Sequence, residues 1–221
     1  MSHNIVVANT LFERNSIFRF RYQVYISELQ KTHVEADHSN QMLYDEADRY
    51  MVLYYIDCHN QVAGTVRSQR GSEGPFMQEE MDLYGINDFE KFIDHDKIAI
   101  VDRLAVDVPF RKTTMAHELM LRTYIDGWAA GTRLCFITCD DHLLAMYIRY
   151  GFRIYKEPYL LSSGDKRHRL LLFLCDINHL KKVRSPFLSH LPDHMDDQGT
   201  YAALVQRHLD IVLLYQSNYA I

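Results

Sequence analysis

Residues 101–130, VDRLAVDVPFRKTTMAHELMLRTYIDGWAA, constrain this chain most. An apolar run from 97 to 107 ends at Pro109 and is followed by a long stretch of helical periodicity from about Thr113 to Ala130. Gly131 closes that stretch as a C-cap. The segment therefore reads as strand, turn and helix. Its turn, Arg111-Lys112-Thr113-Thr114-Met115-Ala116, precedes a helix start, where free N–H groups and the dipole favour an anion. The turn holds no glycine. Thr113, Thr114 and Met115 all carry Cβ atoms, so a close backbone wrap with positive φ would be strained there.

The remainder sets other elements around that segment. NIVVAN (4–9) reads as a short strand, and 10–30 as one helix with Thr10 as N-cap and Glu13 as its capping-box acid. Residues 31–48 read as a polar, acidic loop. RYMVLYYID (49–57) and QVAGTVRSQ (61–69) form a hairpin through the residues CHN. Short helical pieces follow in 77–93. Then come a strand over 133–139, a helix over 140–150 capped by Asp140 or Asp141 and ended by Gly151, strands at FRIYKE and 167–176, and tail helices near 177–183 and 198–215. A hairpin followed by β-α-β-α-β predicts a mixed α/β sheet with helices on both faces.

Composition narrows the function. The 221 residues fit one sizeable domain or a domain plus a small appendage, and 48% apolar residues allow a substantial core. A net charge of -5 disfavours nucleic acid as a partner. No window is long and apolar enough to span a membrane, and the start MSHN is no signal peptide. Cys58, Cys135, Cys139 and Cys175 are scattered, as expected of reduced thiols in a cytoplasmic protein. The histidines stand mostly alone among polar residues, so no metal site is expected.

The element order and two local patterns, RLAVDVPFRKTTMAHELM (103–120) and DDHLLAMYIRYGF (140–152), resemble the GNAT acyltransferase superfamily. FRFRYQVYISEL (18–29), YDEADRYMVLYYID (44–57), QVAGTVR (61–67) and VDRLAVD (101–107) look like the branch with acyl-homoserine-lactone synthases and N-acyl amino acid synthases. DINHLKKVRSPF (176–187) looks closest to the latter. The resemblance implies a GNAT-like domain over 1–187, mostly antiparallel with a splayed central parallel strand pair, and a helical extension over 188–221. Arg21, Tyr25, Asp48, Arg67 and Arg103 match the branch's substrate-binding positions, and Asp45 joins Asp48 in its Asp-x-x-Asp loop. The lactone synthases carry a glutamate three residues before the arginine of the fourth strand, where this chain has Ile100. Asp102 is the nearby carboxylate, but strand alternation predicts that it points opposite to Arg103.

Implied, too, is acyl transfer from a thioester to an amine. Leu104, Ala105 and Val106 would face the thioester, and the turn 111–116 would meet the phosphate of its pantetheine arm. Tyr147 precedes Gly151-Phe152 with the family spacing and would protonate the departing sulfur. Asp45 and Asp102 are the candidate acid–base carboxylates, set against a solvated turn as the plain reading of Asp45 and Asp48. Either the three arginines form a network with these acids, or one of them binds an acceptor carboxylate. No tightly bound cofactor is expected. The donor is an acyl carrier protein, docked on Lys166, Arg167, Lys181 and Lys182, or acyl-CoA; the acceptor is a small-molecule amine. An acyl-CoA N-acetyltransferase and a non-catalytic GNAT-like module are the alternatives.

Overall fold

The computed structural model describes residues 3–161 and 164–190. Its strands are β1 (Ile5–Val7), β2 (Ala36–Asp37), β3 (Met42–Leu43), β4 (Val52–Cys58), β5 (Gln61–Arg70), β6 (Ile98–Val106), β7 (Leu134–Asp140), β8 (Arg153–Leu160) and β9 (Lys166–Phe173). Its α-helices are α1 (Leu11–Arg21), α2 (Gln78–Tyr84), α3 (Ile86–Glu90), α4 (Met115–Ala129), α5 (Asp141–Tyr150) and α6 (Ile177–Lys182). Seven strands are hydrogen-bonded in the order β1-β4-β5-β6-β7-β9-β8, while β2 and β3 pair separately. The pairs β1–β4, β4–β5, β7–β9 and β9–β8 are antiparallel. β6 and β7 are parallel over Ile98↔Leu134, Ala99↔Cys135 and Ile100↔Phe136. This is the mixed α/β sheet that the element order predicts, and its mostly antiparallel pairing with one parallel pair is what the family resemblance implies.

The contacts divide the chain into two compact units. The first comprises residues 1–69, 73–76 and 101–123. Its core joins Tyr54, Ile56, Ala63, Val66, Val106, Met115 and Leu119, with Phe20, Val24 and Ala105 in a second cluster. Among the described residues, the second unit comprises 70–72, 77–100, 124–161 and 164–190. There Phe136 packs against Tyr84, Phe89 and Tyr155, and Tyr124 stacks on Phe187 with centroids 4.1 Å apart.

Local chemistry explains several boundaries. Thr10 and Glu13 form the expected capping box, each side chain accepting the other's backbone N–H. The helix expected over 10–30 is not uniform. After Arg21 it continues as a π-helical segment, Tyr22–Glu28, in which Leu29 N–H donates to Val24 C=O, five residues back. The β4–β5 hairpin turns on His59 and Asn60 alone, with φ of 55° and 63°, the left-handed pair a two-residue turn needs. The stretch 31–48, expected as loop, carries the β2–β3 pair. Asp140 is the N-cap residue of α5 but makes no side-chain cap bond, and Asp141 instead pairs with His168. The extension expected over 188–221, with its helix over 198–215, lies outside the described residues beyond the 3-10 turn Pro186–His190. No described helix is long and apolar enough to cross a membrane.

Candidate active site

The first unit gathers six charged side chains. Asp45 and Asp48 frame a 3-10 turn, Glu46–Tyr50, as a reciprocal capping box. Asp45 Oδ1 accepts the Asp48 N–H at 3.1 Å, and Asp48 Oδ2 accepts the Asp45 N–H at 3.0 Å. The Asp-x-x-Asp spacing is thus first a device that folds the turn and aims both carboxylates. Arg21, the last residue of α1, is fully buried and donates from Nη1 to Asp48 Oδ1 at 2.8 Å. Outside this group of six, Arg14, two turns earlier on the same face of α1, reaches the Asp48 backbone carbonyl.

Arg67 in β5 is the hub. Its Nε and Nη2 grip Asp102 in a two-point pair at 2.6 and 2.8 Å. Its Nη1 lies 2.6 Å from Asp45 Oδ1 and 3.2 Å from Asp48 Oδ1. Arg103 completes the group, donating from Nη2 to Asp45 Oδ2 at 3.1 Å. Asp102 and Arg103 thus meet the same network, which corrects the expectation that strand alternation separates them. The cause is Arg103 itself, whose φ of 53° takes β6 out of the extended register in mid-strand. A left-handed arginine costs backbone energy and persists where surrounding contacts hold it.

Three cations face three anions, so the network sums to zero. Burial pushes the Asp48 carboxyl up, but attraction to Arg21 and Arg67 outweighs it and holds the group below the ordinary carboxylate range. Burial alone would lower the Arg67 guanidinium; Asp102, Asp48 and Asp45 raise it well above its ordinary value. Exposure separates inner from outer members. The side chains of Arg21, Asp48 and Arg67 are 0–4% exposed, whereas Arg103 reaches 15%, Asp45 18% and Asp102 26%. The outer three are the ones a solute can touch. Ile100, where the lactone synthases carry glutamate, is buried and registers with Phe136.

Beyond Arg103, β6 presents Leu104, Ala105 and Val106. Tyr25, from the π-helical segment, directs its hydroxyl at the Leu104 carbonyl, 3.3 Å away, and Arg103 lies over its ring at 5.9 Å. In the turn, positive φ falls on Lys112, at 78°, and not on the threonines. Thr113 donates its hydroxyl to the Phe110 carbonyl at 2.6 Å, and Thr114 donates to Glu118 at 2.5 Å. Met115 is buried in the core, with Ala116 packed beside it. Arg111 donates from Nε to the Val106 carbonyl at 2.9 Å and pairs through both terminal nitrogens with Glu28. Glu28, Arg14 and Glu118 had no signal of their own in the sequence; each is recognisable only from its partner.

Tyr147 belongs to the second unit. It sits on α5, buried, edge-on to Phe152 with centroids 5.6 Å apart. Of the basic residues there, Lys181 and Lys182 are exposed. Arg167 is tied to Thr138 at 2.9 Å and lies 3.4 Å from Asp140.

The fold has solved relatives. FeeM, an N-acyl amino acid synthase from uncultured soil microbes, superposes with a TM-score of 0.63 at 11% identity, over 86% of this chain and 99% of its own. BjaI, a CoA-dependent acyl-homoserine lactone synthase solved with MTA, gives 0.62 at 15% identity, over 84% and 91%. An acyl-CoA N-acyltransferase from Pseudomonas aeruginosa gives 0.56 at 17% identity, over 77% and 99%. No curated protein matches the sequence. The family described as "N-acyl amino acid synthase FeeM" matches residues 16–168, a span that contains the six-member charged network, the turn 111–116 and Tyr147. The chain belongs to the FeeM N-acyl amino acid synthase family and is an N-acyltransferase of that type.

Proposed function

We propose that the enzyme transfers an acyl group from a phosphopantetheine thioester to the amine of an amino acid. The observation that carries the acceptor class is the division of labour among the arginines. Arg21 and Arg67 are buried and committed to carboxylates. Arg103 makes one side-chain hydrogen bond among the described residues, to Asp45, and remains partly exposed. A guanidinium with donors to spare suits a carboxylate. Asp45 and Asp102, the outer acids beside it, suit an ammonium. Each of their oxygens already accepts a guanidinium hydrogen bond, so these acids fit anchoring better than proton abstraction. In the reaction the anchored ammonium first gives one proton to solvent, the resulting neutral amine attacks the thioester carbonyl, the C–N bond forms and the C–S bond breaks. A backbone N–H in Leu104–Val106 steadies the oxyanion, Tyr147 gives its proton to the leaving sulfur, and the amine's surplus proton restores it.

For the donor, an acyl carrier protein is the first reading. The threonine hydroxyls of the turn are spent on Phe110 and Glu118, and Glu118 adds a negative charge to the first turn of α4. One phosphate is better tolerated there than a pyrophosphate with its adenosine. Exposed Lys181 and Lys182 suit an acidic carrier. Acyl-CoA is the second reading, favoured by the fold's likeness to the CoA-dependent BjaI. A cytoplasmic location fits either donor.

Acyl-carrier-protein and acyl-CoA donors of graded chain length, tested against the twenty amino acids and their decarboxylated amines with mass detection of product, decide the matter. Amino acids should exceed their decarboxylated counterparts by more than about tenfold in kcat/KM. Equal turnover of both removes Arg103 as the carboxylate anchor, and no product with any pair removes the reading. In the same assay Tyr147→Phe should lower kcat by about 100-fold with donor KM little changed; unaltered turnover takes Tyr147 out of the mechanism.

A further inference from the structure

The π-helical segment Tyr22–Glu28 touches β6 and the donor turn at separate points. Tyr25 meets β6 just past the left-handed residue, at the Leu104 carbonyl. Three residues on, Glu28 takes both terminal nitrogens of Arg111, with Nη2 to Oε2 at 2.8 Å. Arg111 in turn holds the Val106 carbonyl through Nε. Helix segment, strand end and turn are thereby closed into one ring of contacts, all within the first unit. Exposed ion pairs usually contribute little, but a two-point arginine–carboxylate pair is the geometry that fixes position as well as charge. Leu104 to Val106 and the turn 111–116 are the two ends against which a phosphopantetheine arm would lie. Their separation depends on where Arg111 is held.

We infer that Glu28 is a positioning residue for donor binding, acting through Arg111 to fix the turn 111–116 relative to the end of β6. This rests on the acyl-thioester reading above. It assigns Arg111 a different task from the one its place in the turn suggests. Arg111 serves as a strut, and the phosphate is met by the turn it holds.

The two roles give opposite signs. If Arg111 bound the donor phosphate directly, Glu28 would compete with that phosphate, and Glu28→Ala would tighten donor binding. If Glu28 holds the strut, Glu28→Ala displaces the turn and weakens it. The test compares KM and kcat for an acyl-phosphopantetheine and an acyl-pantetheine thioester, with wild type, Glu28→Ala, Glu28→Gln and Arg111→Lys. Glu28→Ala should raise KM for the phosphorylated donor by about tenfold and leave KM for the unphosphorylated one within about twofold. Arg111→Lys keeps the charge but cannot bridge Glu28 and Val106 together, and should show the same split. Glu28→Gln, closest in shape, keeps the reading available if the alanine variant folds poorly, and its KM should rise by less. A lower or unchanged KM for the phosphorylated donor in Glu28→Ala overturns the inference. So does an equal rise for both donors, or a fall in kcat alone, because either describes a pair that only supports the fold. A wild-type enzyme that accepts neither thioester instead brings down the acyl-transfer reading, and this inference with it.

Discussion

A charge inside an apolar element demands a partner, and that rule made most of the network legible. Arg21, Arg67 and Arg103 each interrupt an apolar run, and Asp45 with Asp48 were the acids at hand. What the rule could not supply was Asp102 on the same side. That depends on the left-handed Arg103, and an arginine gives no sign of positive φ as a glycine would. The inner pair also sets a pH dependence. Asp48 is held below its ordinary value of 3.8 in the folded chain, despite burial, by Arg21 and Arg67. Above that value its contribution to stability is complete. As pH falls through and below it, the unfolded chain takes up a proton that the folded chain refuses, and the contribution is lost. Denaturant titrations at about pH 6 and about pH 3 should show wild type losing more stability than Asp48→Asn over that interval. At pH 6 the variant should already be weaker by about 3–5 kcal/mol, since Arg21 is left buried without its counter-charge. Parallel losses in both proteins would mean that Asp48 carries none of the acid sensitivity.

Local signals make an element legible in the sequence. The capping box at Thr10–Glu13 and the glycine stop of α5 have short-range chemical causes; the hairpin was expected through Cys58-His59-Asn60 and turns on His59 and Asn60 alone. The passage from α- to π-register after Arg21 has no such cause, because the same side chains satisfy either, and the choice falls to what Tyr25 and Glu28 can reach. Gly151 shows how firm a local cause can be. Its φ is 107°, and a Cβ there would lie 2.5 Å from Leu180 Cδ2 and 3.3 Å from Leu172 Cδ1. Gly151→Ala should therefore cost about 2–3 kcal/mol, from backbone strain and displacement of a buried leucine. Thermal denaturation measures it, and a midpoint within a degree of wild type would show that α6 moves aside freely.

At the scale of the molecule, the element order needs no side-chain detail to predict a mixed sheet, whereas its single parallel pair was implied by the family resemblance. Donor choice could not, since it depends on which surface charges remain uncommitted. Lys181 and Lys182 are exposed, while Arg167 is spent on Thr138 and Asp140. Lys181→Glu with Lys182→Glu should slow transfer from an acyl carrier protein by about tenfold at low salt, less as salt rises, and leave transfer from acyl-pantetheine unchanged. Equal slowing with both donors would exclude these lysines as a docking surface. The zero-sum charge network has a different consequence, which concerns how such an enzyme can change. Losing any inner member strands an opposite charge in the interior, so drift there must pass through two simultaneous substitutions of opposite sign. In the turn 111–116, Thr113 and Thr114 bond within a few residues of themselves and can be altered one position at a time, whereas Met115 belongs to the core and Arg111 is tied to Glu28. Gradual change is then open to the two threonines of the turn, while the charged network is inherited as a block.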